Sequence, residues 1–149
     1  MRENIGLYRG KRKDNGEWVE GCLNAPKPQF GGEVCIIVQD APFHSFCYEV
    51  DPETVGEYTG LLDEKRKRIF EGDVIAFIES GYLHIKKVGE VVFKRGCYGI
   101  EYCPWESHKS FHRIGIVGKW EDMGASGTIT YKYYKLGNKW DNPELLQNT

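Results

Sequence analysis

The sequence predicts a mainly β protein, built as an N-terminal β meander followed by a second compact meander that closes as a small barrel or sandwich. Three observations carry this. Short runs rich in Val, Ile, Tyr and Phe recur along the chain, punctuated by Gly, Pro and Asn-Gly. No stretch repeats apolar residues with the period of an ordinary amphipathic helix, and no internal repeat or low-complexity segment is present. The 149 residues, 40% hydrophobic and 28% charged, suffice for one domain or two small ones with a real core and no metal or disulfide staples.

Taken in order, Ile5 to Arg9 reads as a short strand. Asn15-Gly16 is the strongest hairpin signal, and Glu17 to Leu23 is the return strand. Pro26, Pro28 and Gly31-Gly32 make Asn24 to Gly32 a surface loop. The continuous apolar run Val34 to Val38 predicts a strand over Glu33 to Gln39 buried on both faces, and Phe43 to Val50 follows as another strand. Asp51-Pro52-Glu53-Thr54 has the capping residue and proline that start a helical turn, which Gly56 then stops. Thr59 to Asp63 and Arg68 to Phe70 are short arms joined by Glu64-Lys65-Arg66-Lys67, and the Glu71-Gly72-Asp73 turn is the expected seam between the two halves, 1–70 and 71–149.

Beyond the seam, strands are expected at Val74–Ile78, Leu83–Ile85, Val88–Phe93, Cys97–Tyr102, Arg113–Trp120 and Ile129–Leu136, with turns at Gly81, Gly89, Gly96 and Gly124-Ala125-Ser126-Gly127. Residues near 104–130 read as an inserted segment. Asn142-Pro143 predicts one terminal helical turn.

A formal net charge of -2, from 20 basic and 22 acidic side chains, argues against a surface that wraps a polyanion. No apolar run reaches the roughly 20 residues of a spanning helix, and the first residues do not resemble a signal peptide, so a cytoplasmic protein without a membrane partner is expected. The five cysteines are odd in number and lack a CxxC pair. They are expected as free thiols, mostly buried as small apolar residues.

Tyr8-Arg9-Gly10-Lys11, Trp18-Val19-Glu20-Gly21, the block DPETVGEYTGLLD from Asp51, the block IFEGDVI from Ile69, and Leu136-Gly137-Asn138 with Asp141-Asn142-Pro143-Glu144-Leu145-Leu146 stand in this order over nearly the whole chain. Together they resemble the YopX family of phage and prophage proteins. The resemblance implies a β-rich fold with an SH3-like C-terminal small barrel and a phage or prophage origin, so that the expected cytoplasm is that of a host cell, and it implies no activity. Where relatives carry an Asn-Gly type turn before the IxEGD block, this chain has Lys65-Arg66-Lys67-Arg68, so that turn is built differently.

Several constellations have both a chemical and a structural reading. Glu71 and Asp73, with Asp63 and Glu64 nearby, could hold a divalent metal, but Gly-Asp before a strand more often fixes a turn through side-chain to backbone bonds. Cys97, Cys103, His108 and His112 are zinc-type ligands at spacings that fit no familiar zinc module, and alternation puts the two cysteines on one face, as a core requires. Lys11, Arg12 and Lys13, and Lys65, Arg66, Lys67 and Arg68, are basic hairpin tips that could contact nucleic acid, with Trp18 or Tyr58 available for stacking, or could simply be solvated. Trp105, His108, Phe111 and His112 would form a protein-contact patch on an exposed loop, or fold back over one barrel end. Tyr131, Tyr133 and Tyr134 alternate with lysines and read as half-buried sheet residues. No catalytic motif, cofactor or metal is assigned.

The expected function is therefore non-enzymatic, through protein contact or self-assembly as a homo-oligomer, the partner being an unknown phage or host protein. Nucleic-acid binding at the basic tips is the alternative. A metal-dependent hydrolase using Asp63, Glu71 and Asp73 ranks last.

Overall fold

A computed structural model describes residues 6–80, 86–105, 108–115, 118–122 and 125–147. The protein is mainly β, with every resolved strand pairing antiparallel, and it divides into two compact units, Met1–Gly60 and Leu61–Thr149.

In the first unit β1 (Leu7–Arg12), β2 (Trp18–Asn24), β3 (Cys35–Ala41) and β4 (His44–Leu62) pair in sequence, and β4 pairs again with β1, so the meander returns on itself. The Asn15-Gly16 signal is realised. Gly16 adopts φ +73 and donates its N–H to Arg12 O, while Asn15 Oδ1 accepts the Glu17 N–H. Lys11 and Arg12 belong to β1 itself, so only Lys13 stands in the turn. Within the apolar run of β3 only Ile36 is fully buried; Cys35, Ile37 and Val38 are half-covered, because a single small sheet shields one face. A short 3-10 turn, Pro28–Phe30, lies in the Pro/Gly loop.

The helical turn expected at Asp51-Pro52 does not form; β4 runs straight through it. Its capping chemistry is used for a bulge instead. Between the pairs Lys11↔Asp51 and Arg9↔Gly56, β1 advances two residues and β4 five. Asp51 Oδ1 accepts the Glu53 N–H, and Thr54 Oγ1 donates to Asp51 O while accepting the Lys11 N–H. Pro52, which has no N–H to give a ladder, sits where none is needed.

In the second unit β6 (Asp73–Ser80), β7 (Lys86–Lys94), β8 (Cys97–Trp105), β9 (His108–Arg113), β10 (Gly118–Asp122) and β11 (Ala125–Asn138) form a sheet in the order β10-β11-β6-β7-β8-β9. β5 (Arg68–Phe70) pairs with β4 across a turn in which Asp63 N–H donates to Lys67 O. The core gathers Ile69, Ile75, Phe77, Val91, Ile100 and Ile114, with Tyr102, Tyr131 and Tyr133 against it. The meander β6 to β9 accords with the SH3-like expectation, and β10 and β11 extend it.

Residues expected as an insertion supply β9, β10 and the start of β11, all within this sheet. The strand expected over Arg113–Trp120 is interrupted by a turn at Ile114-Gly115, where Gly115 takes φ +83. Ala125 to Gly127, expected in a turn, pair with β10. The strand expected at Leu83–Ile85 lies outside the described residues. The Glu71-Gly72-Asp73 turn lies inside the second unit. Gly72 has φ +84, its N–H donates to Val91 O and its carbonyl accepts from Lys139, and any Cβ there would run into the Trp140 ring. The terminal block closes on itself: Asn138 Oδ1 accepts the N–H groups of Trp140 and Asp141 before a 3-10 turn, Pro143–Leu146.

Candidate functional site

The feature that stands out from the first unit is a two-stranded ribbon. β3 pairs with β2 only through Cys35, Ile36 and Ile37, and β4 meets β1 only from Val50 onward, whereas Val38↔Phe46, Gln39↔Ser45 and Ala41↔His44 pair only with each other. Among the described residues no third strand pairs with either edge of Val38–Phe46. At the tip Phe43 is fully exposed with φ 67, a left-handed geometry uncommon for an aromatic residue, and Phe46 is also exposed. His44 packs edge-on against Phe46 at 4.7 Å and bonds Asp40 through Nδ1 at 2.7 Å, while Phe46 stacks on Tyr48 at 6.0 Å. Isolated two-stranded ribbons are marginal in water, so this one needs either a partner or its own turn chemistry.

The basic tips fare differently from one another. Arg12 donates to Asp14 at 2.9 Å and lies over Tyr48, which raises its affinity for its proton. Lys13 bridges Glu33 at 2.7 Å and Glu49 at 2.9 Å, and those two carboxylates, Glu33 first, push its pKa up. Lys11 sits 5.8 Å over Trp18, whose ring also receives Arg9 at 4.7 Å. This cluster belongs to the first unit and is largely compensated within it. Lys65, Arg66, Lys67 and Arg68 are exposed in the second unit. Arg66 takes φ 62, the left-handed position an Asn-Gly turn would have filled, and Asp63 repairs the turn. Asp63 Oδ1 accepts the N–H groups of Lys65 and Lys67, Oδ2 accepts that of Lys135, and Glu64 N–H donates to Tyr133 O.

The carboxylates thus act on the backbone. Asp73, fully buried, accepts the Phe70 N–H at 2.8 Å and faces Lys135 Nζ at 3.0 Å. Burial pushes the Asp63 carboxyl up, but the N–H groups of Lys135, Lys67 and Lys65 outweigh it and hold the group below the ordinary aspartate range.

The residues grouped as a contact patch are not on a loop. His108, Phe111 and His112 belong to β9, with Trp105 opposite His108 in the register. His112 is buried. Its ring stacks on Phe77 at 4.6 Å, lies 4.3 Å from Tyr131, and its Nε2 is 2.9 Å from the Tyr133 hydroxyl, which also accepts the Gly115 N–H. Phe111 points the other way and packs over Gly99, while His108 is exposed. Alternation along β9 thus puts Phe111 and His112 on opposite faces, while Trp105 belongs to β8. Tyr131, Tyr133 and Tyr134 are half-buried.

Burial, and then the positive charge of Lys87, lowers the His112 pKa to about 4. An unfolded histidine titrates near 6.5, so between these values the unfolded chain binds the extra proton and stability falls as pH drops through that window. We expect a loss on the order of 1–2 kcal/mol from this group. Urea midpoints measured across that range are expected to decline for the wild type and to flatten in His112→Phe, which retains a ring on Phe77.

None of the five cysteines is buried, contrary to expectation. Cys22 and Cys47 are exposed and Cys35, Cys97 and Cys103 half-exposed, because their strand positions face outward from sheets covered on one side. Among the described residues no group of His, Cys, Asp and Glu is arranged to hold a metal ion. No helix among them is long and apolar enough to cross a membrane.

These features define an antiparallel β protein of two compact units whose distinctive surfaces are a bare two-stranded ribbon and an exposed basic turn. A family model described as YopX protein matches residues 7–147, and the chain belongs to the YopX family. No curated protein and no solved structure matches it.

Proposed function

We propose that this chain is a non-enzymatic accessory protein of a phage or prophage, acting in the host cytoplasm by protein contact, and that its first partner is a second copy of itself. The observation that carries this reading is the Val38–Phe46 ribbon: two strand edges without a neighbouring strand among the described residues, and an exposed Phe43 at the tip. A bare strand edge is a template for another strand, and a two-fold axis lets one edge pair with its own copy. Phe43 and Phe46 supply the apolar anchor that such a contact uses.

Sedimentation equilibrium is expected to show a dimer or larger oligomer. Phe43→Ser with Phe46→Ser is expected to weaken association at least about tenfold, equivalent to roughly 1.4 kcal/mol, without loss of the circular dichroism spectrum, since both side chains are exposed. A wild-type chain that remains monomeric at high concentration would count against the reading.

Nucleic-acid binding is the second reading, favoured only by the exposed run Lys65 to Arg68 held in a fixed turn. It requires an affinity for DNA or RNA that weakens steeply with salt. The compensated Lys11 to Lys13 cluster adds little to it. The hydrolase reading is weakened by the backbone bonds that already occupy Asp63 and Asp73.

A further inference from the structure

At the root of the ribbon, Cys35 pairs with Glu49 and Cys47 pairs with Ile37. Residues paired across strands point to the same face, so the two cysteines are diagonal neighbours on one side of the β3–β4 pair. Cys47 is among the neighbours that push the Cys35 thiol's pKa up. Cys47 is exposed and lines a shallow cleft with Lys13, Asp14, Tyr48 and Glu49; Cys35 is half-exposed and donates to Glu33 O at 3.6 Å. Cys22, also exposed, pairs with Ile37 and so shares the face with Ile37 between it and Cys47.

We propose that Cys35 and Cys47 form a reversible dithiol–disulfide site that closes the root of the ribbon. The co-reactant is a small disulfide, RSSR. The Cys47 thiolate attacks one of its sulfurs, forming the mixed disulfide and releasing RS⁻, which takes up the proton Cys47 gave to solvent. The Cys35 thiolate then attacks the Cys47 sulfur, expels the second RS⁻, and leaves the Cys35–Cys47 bond. In total two protein thiols are oxidised and one RSSR is reduced to two RSH.

The order follows from surroundings. Cys47 is the open one, whereas burial, the neighbouring thiol and the carboxylates of Glu49 and Glu33 push the Cys35 thiol up, so it acts second, once the mixed disulfide stands beside it. A sulfur–sulfur bond of about 2.05 Å needs the strands to draw together from diagonal spacing. Cys35 is held on its far side by Asn24 of β2, whereas among the described residues β4 has no partner strand besides β3 before Val50, so the movement falls on the Cys47 side, where a narrow ribbon twists more than a wide sheet. The site does not require the ribbon to bind anything, so it stands or falls apart from the proposed self-assembly.

The test uses the full chain with bis(2-hydroxyethyl) disulfide, an uncharged probe suited to a site flanked by Glu33 and Glu49. After alkylation and proteolysis, mass spectrometry is expected to find a Cys35–Cys47 cross-linked peptide within single chains, reversed by dithiothreitol. Cys22→Ser is expected to close unchanged. Cys35→Ser is expected to stop at the mixed disulfide on Cys47, and Cys47→Ser to lose the closed form entirely. Single-cysteine adducts only in the wild type, a bond that includes Cys22, or cross-links only between copies would each overturn the proposal.

Discussion

Phe77→Ala is expected to lower the stability of the protein by about 3–5 kcal/mol, the range for removing a buried aromatic ring from a packed core. Phe77 is 2% exposed and stands at the centre of the second unit's aromatic cluster, T-shaped to Tyr102 at 5.3 Å, stacked on His112 at 4.6 Å, and 6.3 and 6.4 Å from Tyr131 and Tyr133. Lys87 lies 6.0 Å over its ring and 5.0 Å over that of Tyr102. No neighbour can fill the space by rotation alone, because Ile75 and Ile100 are already fully buried. Urea unfolding followed by circular dichroism measures the effect. A midpoint within about 1 kcal/mol of wild type would show that this cluster is not the core.

Asp63→Ala is the second large effect, expected at about 2–4 kcal/mol. Three backbone N–H groups, of Lys65, Lys67 and Lys135, lose their acceptor at once, and the carboxylate that receives them is only 5% exposed. Asp63→Asn keeps one oxygen and is expected to fall between. The pH dependence has a definite sign. The folded pKa of Asp63 is depressed, so its contribution is complete above the unfolded value of roughly 3.9 and is lost as pH falls through the lower folded value. The wild type is therefore expected to shed stability at acid pH, and Asp63→Ala to lack that part of the acid limb. Equal acid limbs in both proteins would remove the assignment.

Much of the architecture was legible from local chemistry. Asn15-Gly16 specified its hairpin because a left-handed glycine is what that turn requires. The carboxylate before β6 was readable as a turn-fixing group, and Asp73 accepts the Phe70 N–H accordingly. Asp51-Pro52 misled for an instructive reason: a capping residue before proline stabilises any local reversal of N–H direction, and here long-range pairing with β1 turned a helix start into a bulge. His112 misled because alternation fixes which residues share a face but not which face is covered.

By itself the sequence determined the β class, the positions of most turns and the membership of the YopX family, because these depend on backbone preferences within a few residues and on blocks spread along the chain. Only the tertiary structure decided which strand edges of the described residues stay bare, that Asp63 reaches across to Lys135, and that Cys35 and Cys47 share one face as diagonal neighbours. Those outcomes rest on register between segments far apart in the chain, and a shift of one residue would send every one of these side chains to the opposite face.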